Sequence, residues 1–101
     1  MKKIIKGRLY NTETAKYVAN YSWGGPSDFH HVDEDLYRKQ TGEFFLHGEG
    51  GPLSKYRSPV DGGGWTSGED IIPMSDLDAQ EWIEAHCDVD TYVKLFGDVK
   101  E

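Results

Sequence analysis

The chain has 101 residues, enough for one domain with a modest core, and its 18 acidic and 11 basic side chains give a formal net charge of −7. This acidic balance argues against a protein that binds nucleic acid directly, because such proteins present a basic patch. A single cysteine, Cys87, excludes an intramolecular disulfide framework and fits a reducing cytoplasm, and no stretch approaches the ~20 apolar residues of a membrane helix.

The N-terminal residues predict short β segments rather than a targeting signal. Basic side chains stand at the start, but no apolar run follows them, so no signal peptide is expected. The sequence predicts two short β segments, Lys2–Lys6 and Arg8–Tyr10, and a longer strand over Lys16–Tyr21. Alternation predicts that three residues of this strand share one face, opposite Val18: Tyr17, Ala19 and Tyr21.

The clearest hairpin lies in the middle of the chain. Its strands are Leu36–Lys39 and Glu43–His47, joined through Gln40-Thr41-Gly42. The earlier segment Asp28–Val32 fits either a strand or a loop. The three residues that follow it, Asp33-Glu34-Asp35, form a local acidic group whose position the sequence leaves open.

Glycine-rich breakers predict mostly loop over residues 48–68. So long a loop in a small domain is unusual and is often functional. The run Gly48–Gly51 is faintly similar to a phosphate-binding loop, but it lacks the Gly-Lys-Ser/Thr ending, and Glu49 within it would repel phosphate. A last strand is predicted over Glu69–Ile72, and Pro73 is predicted to end it.

The stretch Ser75–Gly97 predicts two short amphipathic helices. Ser75 is a good N-cap with Asp78 at the capping-box position, and Gly97 suits a helix C-terminus. Helical spacing defines one apolar face on each helix: Ala79, Trp82, Ile83 and His86, then Val89, Tyr92, Val93 and Phe96. Five of these side chains are expected to be buried: Trp82, Ile83, Tyr92, Val93 and Phe96.

Strands first and helices last predict an α+β fold. We expect a single monomeric domain over residues 1–101, β-rich over 1–73 and helical over 75–97. Its architecture is predicted to be a largely antiparallel four- to five-stranded sheet followed by two C-terminal amphipathic helices.

Acidic charge is concentrated in the last third of the chain. Residues 66–101 contain ten acids and two lysines, whereas residues 1–65 contain eight acids and nine bases. Such asymmetry predicts a surface for a basic partner, although a solvated acidic face also keeps a small protein soluble. The candidate partner-binding residues are Asp76, Asp78, Glu81, Glu84, Asp88 and Asp90 of the helices, Glu69 and Asp70 before them, and Asp33, Glu34 and Asp35.

No residue pattern predicts a metal site, a cofactor or an enzyme. His30 and His31 are neighbours, as are His86 and Cys87, so neither pair can easily converge on one ion. The spacings typical of zinc sites are absent. A recognisable set of nucleophile, base and oxyanion donors is also missing, so we expect no catalytic residues.

Two tryptophans in glycine-rich surroundings support a different hypothesis. If Trp23 and Trp65 are exposed, they and Leu77 predict an interaction module of a mobile element that binds through apolar contacts. The alternative is that both rings fold back over the edge of the sheet.

Several runs together resemble a family of small acidic bacterial proteins that are common on phages and other mobile elements. They are Leu9–Ala15, Leu36–Arg38, Phe45–Tyr56, Ile72–Ser75 and Ala79–Trp82, which span nearly the whole chain. The family has no established catalytic residues. Some small acidic proteins of such elements are anti-CRISPR proteins, and several of those mimic DNA. The resemblance therefore implies a cytoplasmic inhibitor of a basic nucleic-acid-binding host protein, in particular a subunit of a type I CRISPR effector complex.

Overall fold

The fold is organised around a four-stranded antiparallel sheet with the strand order β3-β4-β5-β8, seen in a computed structural model that describes residues 1–101. Two helices follow the last strand, so the predicted α+β class and the C-terminal helix pair are confirmed. In chain order the elements are β1 (Lys2–Ile5), β2 (Arg8–Asn11), β3 (Lys16–Trp23), β4 (Val32–Arg38), β5 (Phe44–Gly50), β6 (Ser58–Pro59), β7 (Trp65–Thr66), β8 (Gly68–Met74), α1 (Asp76–His86) and α2 (Val89–Phe96).

The helices cover one face of the sheet. Helix α1 begins as predicted, because the Ser75 side chain accepts from the Asp78 amide while the Asp78 carboxylate accepts from the Ser75 amide. Its buried face confirms the sequence pattern, and it packs on alternate residues of β4 and β5. This main core consists of Leu36, Phe44, Leu46, Ala79, Trp82 and Ile83. Neither helix has the length and apolar character needed to cross a membrane.

The second helix differs from the prediction. No residue of α2 is fully buried, so Tyr92, Val93 and Phe96 are only partly covered, and Val89 is 75% exposed. The reason is that α2 packs at the margin of the core through Tyr92, Leu95 and Phe96. Its N-cap is Asp88, whose carboxylate accepts from the amide of the first turn.

A hairpin of β1 and β2 packs against part of the opposite face of the sheet. Tyr10 of β2 meets Phe45 of β5 edge to face, with ring centroids 5.5 Å apart, and Ile71 of β8 completes this second small core. Phe45 and Ile71 alternate with residues of the main core, so they point away from the helices. Polar side chains occupy the remaining part of this face.

Strand β3 contains a bulge that the alternation pattern does not predict. Tyr17 pairs with Tyr37, whereas Ala19 pairs with Leu36, so the register shifts by one residue at Val18. Tyr17 therefore lies on the face opposite to Ala19, and the prediction that Tyr17, Ala19 and Tyr21 share one face is wrong.

The predicted middle hairpin is confirmed, but its strands extend beyond the predicted ends. Strand β5 runs on to Gly50, where loop had been predicted from Gly48, and the loop itself contains the short β6–β7 pairing. Strand β8 continues through Pro73, because β8 is an edge strand and needs no donor on its outer side. Of the undecided segment 28–32, only Val32 joins a strand.

Candidate partner-binding surface

The uncovered part of the sheet, on the side away from the helices, carries three carboxylates in one row. Asp33 of β4 is paired in register with Glu49 of β5, and Glu49 with Glu69 of β8. Strands lie about 4.8 Å apart, so the row spans on the order of 10 Å. Like charges directly opposite each other destabilise a sheet. We call these three residues the acidic row.

The Asp33 end of the row is held in place by uncharged donors. Its carboxylate accepts hydrogen bonds from Ser22 Oγ at 2.7 Å and Asn20 Nδ2 at 2.6 Å. These two bonds hold the pKa of Asp33 below its ordinary value despite partial burial. The same Asn20 amide donates to Asp35 at 2.8 Å, so Asp35 stands beside the row on the same face.

The other end of the row meets one imidazole. His47 Nε2 lies 2.9 Å from Glu69 Oε2, and this is the one ion-pair contact that the row makes. Glu49 is exposed and makes no hydrogen bond or ion pair through its side chain. No lysine or arginine pairs with the row, so its negative charge faces solvent largely unneutralised.

Glu49 was not among the sequence-predicted site residues. Its glycine-rich surroundings predicted a loop, whereas it lies inside β5, between two other acids on neighbouring strands. Strand periodicity alone would have placed Glu49 and His47 on one face. Its neighbours Asp33 and Glu69 are set by cross-strand register, which the local sequence does not specify.

The carboxylates of the helical segment form a separate group on the other side of the sheet. All six are exposed, and none forms an ion pair: Asp76, Asp78, Glu81, Glu84, Asp88 and Asp90. Asp78 and Asp88 are occupied in the helix caps, which leaves Asp76, Glu81 and Glu84 as the free acids of α1. The predicted single acidic surface is therefore divided between two faces of the molecule.

Asp70 is neutralised locally rather than free for a partner. Its Oδ1 lies 2.6 Å from Lys3 Nζ of the N-terminal hairpin and also accepts from the Ile71 amide. Partial burial raises the pKa of Asp70, but these interactions outweigh it and leave the pKa below its ordinary value.

Glu34 lies in the interior, which corrects its predicted place on the partner-binding surface. Alternation along β4 turns Glu34 toward the helices while Asp33 and Asp35 point away from them. Only 2% of Glu34 is exposed. Of the predicted acidic group, Asp33 thus belongs to the row, Asp35 lies beside it, and Glu34 is part of the core.

Three donors satisfy the buried Glu34 carboxylate. Lys55 Nζ lies 2.6 Å from Oε2, the Tyr56 hydroxyl donates to the same oxygen, and Trp82 Nε1 donates to Oε1 at 3.2 Å. Burial raises the pKa of Glu34, but bonds from Lys55, Tyr56 and Trp82 outweigh it and leave the pKa below its ordinary value. Burial and the Glu34 charge raise the pKa of Tyr56. Through the Glu34 carboxylate, the network connects Lys55 and Tyr56 of the loop after β5 to Trp82 of helix α1.

The lowered pKa of Glu34 predicts a loss of stability in acid. A carboxyl whose pKa is lower in the folded than in the unfolded state stabilises the fold above about pH 4.3, and this contribution is lost as the pH falls through the folded-state value. We expect Glu34→Gln to be less stable than the parent at pH 7 and to lose less stability between pH 7 and pH 3. Urea unfolding across this range measures both effects.

Glu13→Gln is the matched control, because it removes an exposed carboxyl that forms no ion pair. It should follow the parent curve throughout. Identical acid slopes for Glu34→Gln and the parent would show that Glu34 does not couple folding to pH.

Comparisons with protein-family models, curated proteins and solved structures find no match. Within the chain itself, no group of three or more His, Cys, Asp or Glu side chains is arranged to hold a metal ion. His86 instead stacks on Tyr21, with ring centroids 3.7 Å apart, and Cys87 is a free, partly buried thiol. The expected absence of catalysis and cofactors, and the monomeric state, stay predictions.

Three aromatic side chains, two at strand ends and one in a loop, are partly exposed. About half of Trp23 and half of Trp65 is accessible, and Phe29 is 63% exposed. The Arg57 guanidinium lies 4.4 Å from the Trp65 ring centroid and covers part of it. Leu77, on α1, is 62% exposed. These exposed side chains are consistent with the alternative hypothesis, in which the protein binds a partner through apolar contacts.

Proposed function

We propose that this protein inhibits a basic nucleic-acid-binding protein by presenting carboxylates to the surface with which that protein binds phosphates. The resemblance of the sequence to mobile-element proteins implies a type I CRISPR effector complex as the partner. The observation that carries the proposal is the acidic row of Asp33, Glu49 and Glu69, in register on three strands and unpaired with lysine or arginine.

The row has the physical properties that a phosphate mimic needs. Duplex DNA carries one negative charge per ~1.7 Å of its axis, and its binders match this with lysine and arginine. Carboxylates fixed on a sheet lose less conformational entropy on binding than those of a disordered acidic tail. Placing like charges opposite each other disfavours the sheet, a cost that a binding role would explain.

The helix acids give the same protein a second acidic surface. Glu81 and Glu84 are exposed on α1 without neighbouring lysines, and like charges at this spacing cost a helix a few tenths of a kcal/mol. This surface and the acidic row lie on opposite sides of the sheet. A single groove of a partner would contact one of them, so the two can be tested separately.

Displacement of DNA is the direct test. A purified type I effector complex is bound to a fluorescent target duplex, and the protein is added while anisotropy is followed. We expect the duplex to be displaced. In a direct titration without DNA, we expect the Kd of the protein for the complex to rise with salt, because exposed charges are screened. A direct Kd that is insensitive to salt would favour binding through Trp23, Phe29 and Trp65 instead. No displacement would contradict DNA mimicry against this target.

Matched charge variants then locate the surface. Glu49→Gln with Glu69→Gln is expected to weaken inhibition by up to about thirtyfold, since each exposed ion pair contributes at most about 1 kcal/mol. Glu81→Gln with Glu84→Gln, and the control Glu13→Gln with Glu101→Gln, change the net charge equally and should have much smaller effects. A larger loss in the helix variant would move the contact from the row to α1.

A further inference from the structure

A groove at the other end of the sheet carries three cations, although the protein has a net charge of −7. Lys16 and Arg38 are register partners at the ends of β3 and β4, and Lys94 reaches the groove from α2. The groove has a volume of about 260 Å³. We call it the basic groove, defined by these three residues.

None of the three cations is neutralised by a carboxylate. Lys39, the next residue after Arg38, pairs with Glu43 at 3.2 Å, and that carboxylate also pairs with Arg8 at 2.6 Å. Lys16, Arg38 and Lys94 form no such pair. Positive charge in the groove is therefore available to a ligand, and an anion would relieve the repulsion among the three side chains.

Arg38 is already held in a fixed position. Its Cζ lies 4.7 Å from the centroid of the Phe44 ring, and its Nε donates to the Gly42 carbonyl at 3.2 Å. The terminal guanidinium nitrogens make no hydrogen bond within the protein. A guanidinium that presents two free parallel donors suits an oxyanion such as phosphate, and its prior fixation lowers the entropy lost on binding.

The rest of the groove is partly apolar. Val18, Leu95 and the half-exposed Tyr17 line it, so an aliphatic or aromatic part of a ligand would find contacts there. Thr91 also lines the groove, but its hydroxyl donates to Asp88 at 2.6 Å and is committed to the helix cap. The three cations are thus the donors available to the ligand.

From this geometry we propose that the basic groove binds the phosphate group of a small organic phosphate. Arg38 and Lys94 would hold the oxygens, and Lys16 would add charge. The groove, with three cations in a volume of about 260 Å³, suits a small phosphate compound rather than an extended nucleic acid strand. This site is separate from the proposed partner-binding surface.

Calorimetric titration with inorganic pyrophosphate and with adenosine diphosphate tests the proposal, and a short single-stranded oligonucleotide forms a third arm. We expect both small phosphates to bind in a saturable manner with Kd below about 1 mM. Absence of saturable binding would overturn the proposal. Binding of the oligonucleotide more tightly than the diphosphate would overturn the assignment to a small ligand.

Two variants place the ligand in the groove. Arg38→Gln is expected to weaken pyrophosphate binding at least tenfold. Lys16→Gln with Lys94→Gln should do the same without disturbing the fold, because both lysines are exposed and make no bonds. Lys2→Gln with Lys100→Gln changes the charge equally at exposed sites that do not line the groove and should leave the Kd within twofold. Equal weakening by this control would show that binding depends on net charge alone, which would contradict the assignment of the ligand to the groove.

Discussion

Replacing Trp82 by alanine is expected to lower the free energy of unfolding by about 3–5 kcal/mol. The ring is 7% exposed and packs in the main core between α1 and the sheet. The substitution leaves a large cavity and also removes the Nε1 donor from the buried Glu34 carboxylate. Both effects act in the same direction, because an unsatisfied buried carboxylate is costly. Urea unfolding at pH 7 gives the difference.

Leu77→Ala is the matched control for Trp82→Ala, because Leu77 lies on the same helix and is 62% exposed. It should change the free energy of unfolding by less than about 0.5 kcal/mol. A Trp82→Ala protein that unfolds at the parent's urea midpoint would contradict the assignment of this ring to the core.

Replacing Gly48 by alanine is expected to cost about 2–5 kcal/mol, although it adds a single methyl group. A Cβ atom at Gly48 would overlap the ring of Tyr56, which lies against the backbone of β5. Tyr56 would have to move, and Glu34 would lose its hydroxyl donor. Thermal or urea unfolding measures the loss.

Two comparisons make this expectation specific. Gly25→Ala adds the same methyl group where no atom lies within 4 Å of the new Cβ, so its effect should stay within about 0.5 kcal/mol. In a Tyr56→Ala background the cost of Gly48→Ala should largely disappear, since the opposing ring is absent. A full cost in that background would show that the clash is not with Tyr56.

The glycine-rich stretch explains why the sequence predicted the end of β5 too early. Glycine usually weakens a strand, so the run after His47 was predicted as loop. In the fold, Gly48 admits the Tyr56 ring and Gly50 lies close to Ser54 and to the His31 carbonyl. These glycines allow a loop to pack directly on the strand, and the buried Tyr56 and Ser54 are the side chains that do so. That role depends on contacts across the fold.

Local physical chemistry in the sequence was sufficient to predict several elements. Ser75 and Asp78 form a capping box within one helical turn, and the spacing of Ala79, Trp82 and Ile83 defines the buried face of α1 without reference to the sheet. The middle hairpin and the α+β class follow in the same way. Each of these features depends on residues a few positions apart, where hydrogen bonding and periodicity decide the outcome.

The arrangement of the acidic residues was decided only by the tertiary structure. Consecutive residues of β4 point to opposite faces, so Glu34 enters the core while Asp33 faces solvent. The acidic row exists because pairing of β4, β5 and β8 brings Asp33, Glu49 and Glu69 together from distant parts of the chain. The bulge at Val18 likewise depends on how β3 pairs with β4. Strand register and pairing are set by burial over the whole sheet, so charge counted along the sequence could not locate the surfaces it would form.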